Sequence, residues 1–283
     1  VAATTTSTAT ELIYAKILSD VMVDAMYSVA VMDNLVRQES LVGKPSNAMS
    51  FDVWPSLTAA AIAETVDLVS TAVDTTNVDI SVTEAASIRI DVTDLLMEAS
   101  IISDGMRFAA QGGKAVADKR DTDLAALLAG FSTVAGTTNV ALTEANLLSA
   151  MTSLTNADAP RPYVLVLHTK QLGDLRVALA ATSAAIWSTV PPDTFGPNGK
   201  VGYEFTYYTI PIYATTNVAT ANAAVDRAGA MFARDALARV DKRPIRYEPQ
   251  RDASLRATEH NITSVYGQGE LVDGWGVSVI TKA

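Results

Sequence analysis

Chemistry in a protein needs nucleophiles, bases, metal ligands or phosphate cradles at workable spacing, and this sequence offers few of them. There is no cysteine, which removes disulfides, thiolate nucleophiles and cysteine-ligated zinc together. The two histidines, His168 and His260, stand far apart, and neither has a second ligand at metal-binding spacing. His168 ends the apolar run Tyr163–Leu167 and precedes a helical pattern, a place where a polar strand-end residue is ordinary. Lys44, Lys114 and Lys200 each follow a glycine, yet none has the earlier glycine or the following Ser/Thr of a phosphate loop. Neither a G-x-S-x-G elbow nor an S-x-x-K pair occurs. Gly267, Gly269, Gly274 and Gly276 lie among strand patterns with no helix after them, so they read as turns and not as a dinucleotide loop. Asp121 with Asp123, or Asp91 with Asp94, could chelate a cation, but no calcium-loop spacing backs this. They read as helix-cap and first-turn carboxylates. No catalytic residue, cofactor site or metal site is expected, and the chain does not read as an enzyme.

The bulk numbers point to a packed protein with a partner other than a polyanion. The 283 residues are 49% hydrophobic, enough for a sizeable core. Much of that count is Ala and Val, and the polar residues lean to Thr, Ser and Asn, which suits close packing and strands. A net charge of −10 argues against a protein that neutralises phosphates. The charge is lopsided: acids dominate the first third, and Arg crowds the stretch Arg234 to Arg256. Such a division suits self-complementary assembly, and it also suits an ordinary solvated surface. No stretch is long and apolar enough to read as membrane-spanning. Val1 to Thr10 carry neither a positive charge nor an apolar run, so they do not read as a signal peptide.

The elements follow from periodicity. Glu11 to Asp33 reads as a helix apolar on two sides, with Leu12, Ala15, Leu18 and Met22 on one and Ile13, Ile17 and Val21 on the other. It wants two surfaces to pack on, one of them on a neighbouring subunit. Phe51–Trp54 and Thr65–Val69 are weaker strand candidates around a small-residue tip, Ser56 to Ala63. Val78, Ile80 and Val82 alternate with polar residues, as do Ile88, Ile90 and Val92, and the two runs read as a hairpin. A long helix starts after Thr93, is interrupted at Gly112-Gly113, and resumes from Lys114 to a stop at Gly130. From about Leu142 helices and strands alternate: a helix around Leu147–Leu154, a buried strand Tyr163–Leu167, a helix around Leu172–Leu179, and strands Phe205–Tyr208 and Ile210–Tyr213. Strands Ile245–Glu248, His260–Tyr266 and Val277–Thr281 follow, with turns at Gly267–Gly269 and Asp273-Gly274.

That order of parts, and several words within it, resembles the Hong Kong 97-like major capsid fold of tailed phages. The words are SFDVWPSLTAAAIAETVDL (Ser50 to Leu68), SIRIDVTDLLMEAS (Ser87 to Ser100), DTDLAALLAG (Asp121 to Gly130), PRPYVLVLHTKQLGDLR (Pro160 to Arg176), YTIPIYATTNV (Tyr208 to Val218) and YGQGELVDGWGVSVITKA (Tyr266 to Ala283). The resemblance implies an α+β chain made of an N-terminal arm (1–49), an E-loop hairpin (50–92), a spine helix with the first part of the P domain (93–135), an α/β A domain (136–242), and returning P-domain strands with a C-terminal strand (243–283). It implies a structural protein of the virion, assembled in the host cytoplasm into hexamers and pentamers of an icosahedral shell. The partners so implied are the chain itself, a scaffolding protein, a portal and packaged double-stranded DNA without sequence-specific contact; a decoration protein stays open. Trp54, Glu64, Arg89, Arg246, Arg251, Asp252 and Arg256 are the expected inter-subunit contacts. Some relatives crosslink through an E-loop lysine, but no lysine lies between Lys44 and Lys114 here, so a non-covalent shell is expected. Two other classes stay open: an encapsulin-type nanocompartment of the same fold, and a secreted surface-layer or adhesin protein.

Overall fold

The computed structural model describes residues 22, 30–62, 64, 66–67, 69–99, 105–181, 187–188 and 201–282. The expected helix Glu11 to Asp33 lies outside these, save for Met22 and the residues from Ala30 on, where Met32–Asn34 form a 3₁₀ turn. The Pro- and Gly-containing stretch Pro191 to Gly199, which its composition leads one to expect as a loop, also lies outside.

An eight-stranded sheet forms the larger lobe. Along it run β5 (Val134–Ala135), β14 (Gly276–Lys282), β11 (Asp226–Ala233), β6 (Tyr163–Leu167), β9 (Ile210–Ala214), β8 (Tyr203–Tyr207) and β7 (Trp187–Ser188), with β10 (Thr220–Ala221) paired to β11. Strand β6 reads as a continuous apolar run because it is covered twice. Tyr163, Leu165 and Leu167 face α3 (Glu144–Asn156) and α4 (Thr169–Ala181). Val164 and Val166 face Leu124 and Leu128 and the segment Val31–Val36 on the other side.

A four-stranded sheet forms the second lobe, in the order β1 (Arg37–Ser40), β12 (Leu237–Asp252), β13 (Ala257–Glu270) and β4 (Thr83–Thr93). It packs on the long helix α2 (Gly105–Leu127) through Val116, Ala117, Ile245, Tyr247, Ile262 and Tyr266. Helix α2 therefore serves both lobes, one sheet along its middle and the other at its C-terminal end. Strands β2 (Ala48–Val53) and β3 (Thr76–Ser81) pair antiparallel into an arm whose root, Phe51 and Ile80, packs on Ala238, Val240 and Leu271.

Three expectations are corrected. The runs at 78–82 and 88–92 do not form a hairpin: β3 pairs with β2, and β4 pairs with β13. Val78, Ile80, Val82, Ala86, Ile88, Ile90 and Val92 all fall on even numbers. That shared phase fits one extended stretch passing from arm to sheet with only Val82 between, and no Gly or Pro interrupts it. Thr65–Val69 is not a strand among its described residues. Gly267–Gly269 is not a turn but part of β13. A Cβ at Gly267 would stand 2.3 Å from the carbonyl oxygen of Ser81, so glycine there lets the arm strand cross over β13.

Gly112-Gly113 does not interrupt α2, which runs through both. Here too the missing side chains serve close approach. A Cβ at Gly113 would lie 2.4 Å from the backbone oxygen of Met22; one at Gly112 would lie 2.2 Å from Ile262 Cδ1. Alanine ordinarily gains about 1 kcal/mol over glycine inside a helix. The contact at Gly113 is with backbone, which gives less readily than a side-chain end, so Gly113→Ala is expected to lose about 1–3 kcal/mol net by overpacking. Gly112→Ala meets only a flexible side-chain end and should cost less, with Ile262→Val relieving it. Urea unfolding of the three variants checks the order, and Gly112→Ala being the more damaging would overturn it.

Candidate assembly surfaces

Four of the expected contact residues gather at one end of the four-stranded sheet. Register places Arg89 beside Asn261, Asp91 beside Glu259, Arg251 beside Thr258 and Asp252 beside Ala257, within the last rungs before the β12–β13 turn. Asp252 builds that turn: its Oδ1 accepts the backbone N–H of Ser254 at 2.9 Å and of Leu255 at 3.2 Å, and the Ser254 hydroxyl at 2.6 Å. These bonds, the Ser254 hydroxyl first, hold the Asp252 carboxyl below the usual carboxylate range. Arg256 closes the turn with φ at 47°. Its carbonyl accepts the N–H of Asp94, the first residue of α1 (Asp94–Ala99).

The arginines here are engaged within the chain. Arg251 holds Asp94 with both prongs of its guanidinium, at 2.5 and 2.6 Å, which lowers the Asp94 pKa. Arg89 pairs with Asp91 at 2.8 Å and Glu259 at 2.6 Å. Arg246 stands apart, further along β12, paired with Glu248. The surface at the sheet end is thus a lattice of fixed, alternating charges, flanked by the exposed side chains of Leu95 and Leu255.

Trp54 and Glu64 belong to a different surface, the β2–β3 arm. Trp54 is 70% exposed and lines a shallow groove with Arg37, Phe51, Leu271 and Trp275. Leu57, Ile62, Val66, Val69 and Val73 are exposed along the same arm. From Pro45 to Ile88 the sequence holds six carboxylates and no Lys or Arg. A long, acidic, apolar projection with so little core of its own is built to be covered.

A third feature, a buried ionic junction, has no signature along the sequence. Asp33, Arg120 and Arg239 are all under 5% exposed. Arg239 reaches Asp33 at 2.7 Å and Asp241 at 2.6 Å, and Arg120 reaches Asp241 at 2.9 Å and Asp33 at 3.5 Å. The Arg120 guanidinium also lies 5.1 Å over the Tyr266 ring. The junction ties the Met32–Asn34 turn of the N-terminal arm, the helix α2 and strand β12 together. Its members are scattered over 200 positions of sequence, so no spacing could reveal it.

Asp121 corrects another reading. It is no first-turn carboxylate but sits deep in α2, accepting the N–H groups of Val31 and Met32. Burial raises its pKa, against the opposing pull of those bonds and of Thr215 and Asn217. Asp123 nearby accepts the Tyr266 hydroxyl at 3.0 Å and pairs with Lys119. Asp94 does stand in a first helical turn. His168 Nδ1 accepts the N–H of Lys170 at 3.1 Å, at the start of α4. His260 bonds the Tyr247 hydroxyl and stacks on its ring. Among the described residues no group of three His, Asp or Glu side chains is placed to hold a metal ion. No described helix is long and apolar enough to cross a membrane.

No protein-family model matches the sequence, and no curated protein matches it. Solved structures do. The chain is similar to the capsid structure of the cyanophage P-SCSP1u at 14% identity and a TM-score of 0.66, covering 90% of this chain and 88% of that one. It is similar to the head structure of Helicobacter pylori bacteriophage KHP40 at 10% identity and a TM-score of 0.66, over 90% and 91%. It is also similar to a virus-like particle from Pyrococcus furiosus at 11% identity and a TM-score of 0.58, over 94% and 99%. With a helix shared by two sheets, a projecting two-stranded arm and likeness over nine-tenths of its length, the chain has the α+β Hong Kong 97-like capsid fold.

Proposed function

We propose that this chain is the major capsid protein of a tailed phage, which assembles with itself into hexamers and pentamers of an icosahedral shell around double-stranded DNA. The observation that carries the reading is likeness along nearly the whole chain to phage capsid proteins, at identities too low for anything but a common fold. The exposed apolar arm adds to it, since a free subunit would leave Trp54 and its neighbours in water. In this reading residues 1–49 are the N-terminal arm, 50–92 the E-loop, 93–135 the spine helix and first P-domain part, 136–242 the A domain and 243–283 the returning strands. Strand β12 spans the last of these divisions, and β14 rejoins the larger sheet. The shell belongs in the virion, is built in the host cytoplasm, and works with a scaffolding protein and a portal.

The test is electron microscopy and sedimentation of the expressed chain. Closed icosahedral particles of megadalton mass are expected, and a stable monomer as the sole species at high concentration would sink the reading. Particles purified from their source should contain DNA; cargo protein in its place would favour the encapsulin-type alternative.

A second expectation concerns crosslinking. With no lysine between Lys44 and Lys114, the E-loop has no amine to offer to an isopeptide bond. Boiled particles should run on a denaturing gel as single chains near 29.8 kDa, and a ladder of multimers would refute a non-covalent shell.

A further inference from the structure

The N-terminal arm meets α2 at two described points. Met22 lies against Gly113, its carbonyl oxygen 2.4 Å from where a Cβ would be. Val31 and Met32 meet the same helix at Asp121. The second contact is the more specific. Asp121 Oδ1 accepts the backbone N–H of Val31 at 3.0 Å and of Met32 at 2.7 Å. Its Oδ2 accepts the Thr215 hydroxyl at 3.1 Å and the Asn217 side-chain amide at 3.2 Å. Four donors from two separate segments thus converge on one buried carboxylate. Beside it the Val31 side chain rests over Gly202, where a Cβ would come within 2.7 Å of Val31 Cγ2.

Such an arrangement fixes register. Sliding the arm by one residue would break the paired N–H contacts in a place that water does not reach, and it would lift Val31 off the glycine. A hydrophobic seat alone would tolerate the slip far better.

We infer that Asp121 is a positioning residue for assembly, fixing the register in which Val31 and Met32 lie on α2. That assembly needs this register rests on the capsid reading; how it is held rests on these bonds alone. Asp121→Asn keeps the shape and one acceptor oxygen, so it can serve the arm or the Thr215–Asn217 side but not both fully. Asp121→Leu keeps no acceptor.

Hydrogen exchange read by mass spectrometry on the unassembled full chain, followed by sedimentation of the assembly reaction, tests the inference. Exchange at Val31 and Met32 should rise about tenfold or more in Asp121→Leu and by less in Asp121→Asn, because charge-assisted bonds exceed neutral ones in strength. Amides of β6 and β11 should stay within about twofold of the parent. The fraction of chain in closed shells should fall in the same order. Parental exchange at Val31 and Met32 in both variants overturns the inference. So does a rise of equal size in β6 and β11, which would make Asp121 a general core residue. If Asp121→Leu does not fold, Asp121→Asn decides by the same two comparisons. A parent chain that never forms shells would instead defeat the capsid reading, and exchange at Val31 and Met32 would still decide whether Asp121 holds the arm.

Discussion

Asp33→Ala should destabilise the unassembled subunit by about 3–5 kcal/mol, the range seen when one partner of a buried ion pair is removed. The geometry explains why the loss is large. Arg239 and Arg120 are both almost fully buried, and Asp33 and Asp241 are the carboxylates that balance them. Taking Asp33 away removes one of the two carboxylates that these guanidiniums reach and leaves their buried charge under-compensated. For a domain with about 5–15 kcal/mol in all, that is a large share. The cost is one of imbalance and not of charge as such. The double variant Asp33→Leu with Arg239→Met removes one acid and one base together and leaves the Arg120–Asp241 contact at 2.9 Å. It should recover at least half the loss, since apolar replacement of a buried pair is often neutral. Urea unfolding with unchanged m-values measures both. A single variant within about 0.5 kcal/mol of the parent, the range usual for a surface change, would show that the junction contributes no more than a solvated pair.

Arg251→Glu should leave the subunit folded and abolish shell formation, with capsomers or monomers accumulating. Arg251 grips Asp94 in bidentate geometry and so fixes the β12–β13 tip against the start of α1. Glutamate there faces Asp94 with like charge, and the tip with Leu255 and Arg256 swings from its place. Neither partner is buried, so the fold should survive, as circular dichroism can check. Assembly is more exacting, because a small misplacement is repeated at every symmetry-related contact. The charge-swapped pair Asp94→Arg with Arg251→Glu restores an intrachain bond of reversed polarity and should restore shells. Normal shells from Arg251→Glu alone, with parental yield and salt sensitivity, would remove any assembly role for this charge. Failure of the swap alone would mean that a neighbour's carboxylate also needs the guanidinium.

The sequence by itself determined the elements whose apolar residues run together as a buried strand or recur at helical spacing. Tyr163–Leu167, Ile210–Tyr213 and Val277–Thr281 are strands, and Leu147–Leu154 and Leu172–Leu179 lie on helices, as their spacing requires. The order of these parts was enough to resemble one fold. The lack of cysteine likewise removed disulfide and thiolate chemistry on composition alone.

What only the tertiary structure decided is which element each segment meets. Alternation at 78–92 specifies extended chain and an inward face, but period two says nothing of the partner strand, and the hairpin guess failed there. Glycine was ambiguous for a similar reason. A missing side chain signals a turn when the backbone bends, and a close approach when another segment crosses, as at Gly112, Gly113 and Gly267. The largest gap was electrostatic. Asp33, Arg120, Asp121, Arg239 and Asp241 look like solvated charges along the chain, because charge at a single position carries no record of its distant partner. Folding brings the segment Val31–Asp33, α2 and β12 together, withdraws most of the water, and turns four of these charges into the ionic junction and Asp121 into the acceptor beside it.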